Sequence, residues 1–131
     1  MNTISITKIW DEKKYDTIID VRSPSEFNED HIPGAINLPV LDDEERKKIG
    51  IIYKKKSPFE AKVLGSSLVT KNISEYLVKK LKNKNGAWKP LVYCWRGGQR
   101  SRALCLIMQE IGWRVNPVSY THLRAHETVE D

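Results

Sequence analysis

With 131 residues, 40% of them hydrophobic and 30% charged, the chain is long enough for one domain with its own core. No run approaches the ~18 consecutive apolar residues of a membrane-spanning helix, and the first residues show no signal-peptide pattern. Lysine and arginine outnumber the acids 22 to 17, a formal charge of +5 that favours polyanionic partners without identifying one.

Residues 4–9 alternate apolar and polar side chains, a first short strand or lead-in. Residues 15–21 make a stronger strand, β-branched and apolar and ending in polar groups. In Ser23-Pro24-Ser25-Glu26 a serine stands three residues ahead of a glutamate, with proline at the first helical position. A short helix to about Glu29 is expected. His31-Ile32-Pro33-Gly34 reads as a turn and residues 35–38 as a second core strand. Residues 42–48 read as a helix with acids in its first turn, Lys47 and Lys48 in its last, and Gly50 at its end.

Ser57-Pro58-Phe59-Glu60 repeats the serine–proline–glutamate pattern and opens what should be the longest helix. Its interrupted apolar stripe, from Phe59 and Val63 through Ile73 and Tyr76 to Leu81, reaches about Lys82, and Gly65-Ser66-Ser67 is where it would loosen or kink. After a turn at residues 83–86, Leu91-Val92-Tyr93 form a strand. Ala103, Leu104, Ile107, Met108 and Ile111 then recur at helical spacing, with Gly112 as the cap. Residues 113–115 would begin a last strand. Strands alternating with helices imply an α/β fold with a mainly parallel sheet flanked by helices.

From Pro117 the strand pattern stops. The remaining string resembles a translated adapter sequence that recurs at the ends of assembled environmental sequences. The expectation is a domain over residues 1–116 with its last strand incomplete, and a non-native tail over 117–131. His122 and His126 in that tail stand four apart but have no third metal ligand.

The chemistry is concentrated between Val92 and Arg102: an apolar strand, a cysteine, a Gly-rich basic loop and the start of a helix. A free cysteine is often simply buried. Cys94, however, sits where strand becomes loop, and Arg96, Arg100 and Arg102 follow within eight positions. Cations and a helix N-terminus favour a thiolate, so Cys94 reads as a nucleophile. Cys105 lies inside an apolar helix and reads as core. Two cysteines make no disulfide framework, no His/Cys cluster has metal-ligand spacing, and a reduced, cytoplasmic setting is expected. The spacing from Cys94 to Arg100 also fits phosphatases that use a cysteine, because a loop of backbone N–H groups and an arginine holds phosphate as well as it holds other tetrahedral anions.

Three stretches separate these classes. Asp20-Val21-Arg22-Ser23-Pro24-Ser25-Glu26-Phe27, then His31-Ile32-Pro33-Gly34-Ala35-Ile36-Asn37-Leu38-Pro39, then the Cys94 loop, resemble the signature of the rhodanese superfamily. Tyr93-Cys94-Trp95-Arg96-Gly97-Gly98-Gln99-Arg100-Ser101, with residues 37–46 and 52–61, is similar to the N-terminal domain of the tRNA 2-selenouridine synthases.

That resemblance implies a transferase that exchanges sulfur for selenium at wobble 2-thiouridine in tRNA, with selenophosphate as donor and no bound cofactor; geranyl diphosphate is a further substrate associated with the family. It implies Cys94 as the chalcogen-carrying nucleophile. Trp95, Arg96, Gly97, Gly98, Gln99 and Arg100 would form the anion-binding loop, with Asp20 and Arg22 in support, either pairing to hold the loop or acting in catalysis. Glu26 reads as a helix cap and His31 as a turn anchor. Lys54-Lys55-Lys56 and Lys79-Lys80 are candidate phosphate contacts as well as ordinary solvated faces.

The Gly-rich phosphate loop of the family's second domain is absent from this sequence, so the chain reads as a fragment. Alternatives are a stand-alone thiosulfate or persulfide sulfurtransferase, a cysteine phosphatase, and a non-catalytic binding module. The sequence leaves the oligomeric state open.

Overall fold

The structure, a computed structural model, describes residues 14–94, 99–115 and 117–119. Among these residues the order is β1 (Thr17–Asp20), α1 (Pro24–Glu29), β2 (Ile36–Asn37), α2 (Asp43–Lys55), α3 (Pro58–Tyr76), β3 (Pro90–Cys94), α4 (Gln99–Ile111) and β4 (Pro117–Ser119), and a π-helical turn, Leu77–Leu81, prolongs α3. The strands lie in the order β2-β1-β3-β4 and every pair is parallel. This is the expected α/β sheet flanked by helices. No helix among the described residues is long and apolar enough to cross a membrane. The lead-in expected over residues 4–9 lies outside the described residues.

β1 and β3 are apolar along their length because both sheet faces are covered. Ile19, Val21, Val92 and Cys94 turn to one face and pack with Leu104, Cys105 and Met108 of α4 and with Ile73 and Leu81 of the α3 arm. Ile18, Leu91 and Tyr93 turn to the other, against Ile32 from the turn before β2. Gly34 in that turn has φ of 84°, a left-handed conformation suited to glycine. β2 is shorter than the core strand expected over 35–38. It pairs only through Ile36 and Asn37, at the sheet edge, where Ile36 is exposed.

Two helix boundaries differ from the sequence reading. α2 does not stop at Gly50 but runs through it to Lys55, started by Asp42 and Glu45, which cap each other's backbone N–H at 2.7 and 2.9 Å. Packing outweighs the weak helix propensity of one glycine: α2 and α3 form a hairpin in which Ile49 Cδ1 lies 3.4 Å from where a Cβ on Gly65 would stand. Gly65 is therefore a buried close-approach point and not a kink. The departure from α-helix comes later, at Leu77–Leu81. Asn72 Nδ2 donates to Val40 O at 2.8 Å and Tyr76 Oη to Pro39 O at 2.6 Å, tying α3 to the segment after β2.

The last strand also moves. Residues 113–115 are not strand. Trp113 packs edge-on against Trp88 at 4.9 Å, and Gln109 Nε2 donates to Val115 O at 2.6 Å, so these residues carry the chain from α4 back to the sheet. Gly112, with φ of 119°, makes the expected reversal after the helix. Pairing begins at Pro117, with Cys94 opposite Ser119. The sheet thus takes up the first three residues of the segment that the sequence pattern set apart, and residues 120–131 lie outside the described residues.

Candidate active site

The strand order places the site. From β1 the chain crosses to β2 on one side, and from β3 it crosses to β4 on the other, so the connections leaving the paired carboxyl ends of β1 and β3 diverge to leave a crevice. Open α/β sheets bind ligands at such a point. Asp20 is the last residue of β1 and Cys94 the last of β3.

Cys94 is buried, 2% exposed, and its Sγ lies 3.1 Å from Ser101 Oγ in the first turns of α4, the thiol donating. When the thiol ionises, the hydroxyl can turn and donate instead, so the same contact supports the thiolate. Cys105, one helical turn beyond Ser101, is buried in the core. Burial, followed by the nearby Cys94 sulfur, pushes its thiol up to about 12. It stays protonated at neutral pH, in keeping with its reading as a core residue.

Asp20 and Arg22 pair with each other. Arg22 Nε donates to both Asp20 carboxylate oxygens at 3.1 Å, Nη2 to Oδ2 at 2.8 Å, and the Arg22 backbone N–H to Oδ1 at 2.8 Å. Both side chains are buried, and the guanidinium also reaches Asp30 O and stands 5.7 Å over the Tyr93 ring. Burial works against the Arg22 cation, but Asp20 outweighs it and the pKa is raised. The Tyr93 hydroxyl accepts from Ile32 N–H at 3.0 Å, and Asn37 Nδ2 donates to Asp20 O and Arg22 O at 3.0 and 2.9 Å. The pairing fixes the end of β1 beside the cysteine.

Glu26 does more than cap. Its Oε1 accepts from Ser23 N–H at 3.0 Å, closing the first turn of α1, while Arg100 Nη1 donates to Oε1 at 2.9 Å and Nη2 to Oε2 at 3.4 Å. Arg46 of α2 reaches the same Oε1 at 2.9 Å. Burial pushes this carboxyl up, but the Arg100 hydrogen bond, the Ser23 N–H and the two arginine charges outweigh it and hold the pKa at about 2. Glu26 is an anion at any working pH and cannot serve as a proton donor. His31 stacks on Phe27 at 3.7 Å with Nδ1 2.7 Å from Phe27 O, an anchor for its turn.

Arg100, expected to grip an anion, has its described partner in Glu26, so any anion it binds must share it with that carboxylate. Trp95, Arg96, Gly97 and Gly98 lie outside the described residues, as does the side chain of Gln99, whose backbone opens α4. Sequence reasoning missed Ser101 and Arg46 as parts of the site. Ser101 was legible as a hydroxyl at the helix start after the loop. Arg46 was not, because only the α2 packing brings it to Glu26. Among the described residues no group of three or more His, Cys, Asp or Glu side chains could hold a metal ion.

A family model described as the rhodanese-like domain matches residues 5–122. The tRNA 2-selenouridine synthase of Bdellovibrio bacteriovorus is 41% identical over 103 residues, covering 72% of this chain and 25% of that protein. That of Psychromonas ingrahamii is 37% identical over 114 residues, covering 83% and 30%. The chain therefore spans about a quarter of the length of the curated relatives it matches. Among solved structures, the N-terminal domain of a Clostridium difficile 630 protein whose name assigns it ATP or GTP binding superposes with a TM-score of 0.69 at 28% identity, covering 88% of this chain and 89% of that one.

Proposed function

The chain belongs to the rhodanese-like domain family, and from that premise we propose that it is the chalcogen-transfer domain of a longer tRNA-modifying enzyme, with Cys94 as the nucleophile. That enzyme exchanges the sulfur of wobble 2-thiouridine for selenium, with selenophosphate as donor, in the cytoplasm. The observation that supports this most is the position of Cys94: at the carboxyl end of β3, at the crevice between diverging connections, hydrogen-bonded to Ser101 and six residues ahead of Arg100.

Cys94 carries chalcogen at the sulfane level. With a sulfane donor its thiolate pair forms a bond to the donor's outer sulfur, the donor's own S–S bond breaks, and the remainder leaves with that pair, as sulfite does from thiosulfate. Selenium in selenophosphate is two electrons more reduced. It enters without redox change only as a nucleophile at the uridine C2: the Cys94 thiolate first bonds C2 and sulfide leaves with the C–S pair, then selenium bonds C2, the Cys94 thiolate leaves with its own pair, and water cleaves P–Se to phosphate. The anion-binding loop then holds the phosphate. Cys94→Ser removes the nucleophile that both steps use and leaves the anion site in place.

The test is Cys94→Ser in the complete gene, read by mass spectrometry of tRNA nucleosides. Loss of 2-selenouridine is expected; near-normal 2-selenouridine would exclude the role given to Cys94. A stand-alone sulfurtransferase is the second reading, favoured because Cys94, Ser101 and Arg100 all come from this one domain. Cyanide-dependent thiocyanate formation by this chain, with normal 2-selenouridine in cells lacking the gene, would favour it.

A further inference from the structure

Beside the site, a groove of about 680 Å³ runs from the tip of the α2–α3 hairpin, at Tyr53, Pro58 and Lys62, to Arg100 and Ala103 at the start of α4. At the tip, Lys54, Lys55 and Lys56 are exposed, as is Lys62 one turn into α3. Between Lys54 and Lys62 the only acid is Glu60, which is engaged by Ser57: its N–H donates to Ser57 Oγ at 3.0 Å, and its Oε2 accepts from that hydroxyl at 3.2 Å. Two aromatic side chains stand among these cations with their rings in solvent, Tyr53 at 58% and Phe59 at 73% exposure. The macrodipole of α2 accounts for Lys54 and Lys55 in its last turn but gives no reason for Lys62 or for either aromatic.

Cations interleaved with exposed rings are what an unpaired RNA strand requires: phosphates meet the lysines and bases stack on the rings. A protein partner would seek a larger apolar centre with few lysines. Phe59 and Val63 do share a face of α3, and Ile51 is exposed on α2, but two apolar side chains one turn apart make too short a stripe to seat a helix in a membrane surface. We propose that the hairpin tip, through Tyr53, Phe59 and the lysines at positions 54–56 and 62, is the surface on which this domain binds single-stranded RNA, and that the groove leads a base toward Arg100 at the start of α4. This rests on the functional reading above, which supplies an RNA substrate; the surface itself is argued from charge and exposure.

The experiment measures binding of the whole chain to a fluorescently labelled anticodon stem–loop RNA by anisotropy across a salt series. Replacing the four lysines by alanine should weaken binding about tenfold or more near 0.1 M salt and lower the salt slope by about 3, at ~0.7–0.9 per phosphate contact. Tyr53→Ala with Phe59→Ala should weaken binding by about 5- to 100-fold with little change in slope, the signature of lost stacking. Lys79→Ala with Lys80→Ala, at the other end of the α3 arm, should leave affinity within about twofold. Thermal unfolding of each variant checks that these exposed substitutions leave the fold in place.

Tip variants that bind like the parent, a chain with no affinity for the RNA, or an equal loss from the Lys79 and Lys80 pair would each overturn the proposal. Persulfide formation on Cys94 of the parent chain is measured separately. RNA binding through the tip without Cys94 loading would sink the functional reading and leave this surface standing. Loading with an indifferent tip would do the reverse.

Discussion

The Cys94–Ser101 contact joins the end of β3 to the first turns of α4, so the setting of the proposed nucleophile depends on how that helix starts. Ser101→Ala should slow persulfide loading of Cys94 by about 5- to 10-fold, the value of one hydrogen bond near 1 kcal/mol. Ser101→Thr, which keeps the hydroxyl, should restore it. Glu26 gives a pH signature. Its pKa falls from an ordinary 4.5 to about 2 on folding, so its contribution to stability is fully present above about pH 4.5 and is lost as pH falls through 2. Glu26→Gln should therefore cost on the order of 2 kcal/mol in urea unfolding at pH 7, and the gap to the parent should narrow steadily below pH 4. A gap of constant size would mean that the Arg100 and Arg46 pairs contribute nothing through charge.

At the scale of elements, the short apolar runs of β1 and β3 and the serine–proline–glutamate helix starts were legible because each is dictated by neighbours in the chain. What could not be read depended on partners far away. Gly50 looked like a helix end because the sequence does not show α3 lying along α2. Residues 113–115 looked like a strand because nothing local reveals that Gln109 and Trp88 hold them off the sheet edge. The same holds for the site: Cys94 and its loop announce themselves as a local string, whereas Glu26 meets Arg100 across 74 positions and Arg46 across 20. Gly50 offers a direct check. A Cβ there meets nothing within 4 Å, so Gly50→Ala should stabilise the protein by about 0.5–1 kcal/mol in urea unfolding. A loss of stability would mean that α2 breaks at Gly50 after all.

Over the whole molecule, the crevice is held by one buried ion pair that links three segments: β1 through Asp20, the turn after α1 through Asp30 O, and β3 through the Tyr93 ring. Removing one partner leaves the other charged and buried, which is costlier than removing both. Arg22→Met should thus cost about 3–5 kcal/mol, and adding Asp20→Asn should recover a large part of it, as read by chemical unfolding of the single and double variants. The central claim, that the domain carries chalcogen on Cys94, is tested most directly by peptide mass spectrometry of the intact chain after incubation with thiosulfate. The account predicts one added sulfur on the peptide containing Cys94 and none on Cys105, with the addition abolished by Cys94→Ser. An unmodified Cys94, or sulfur found on Cys105 instead, would contradict it.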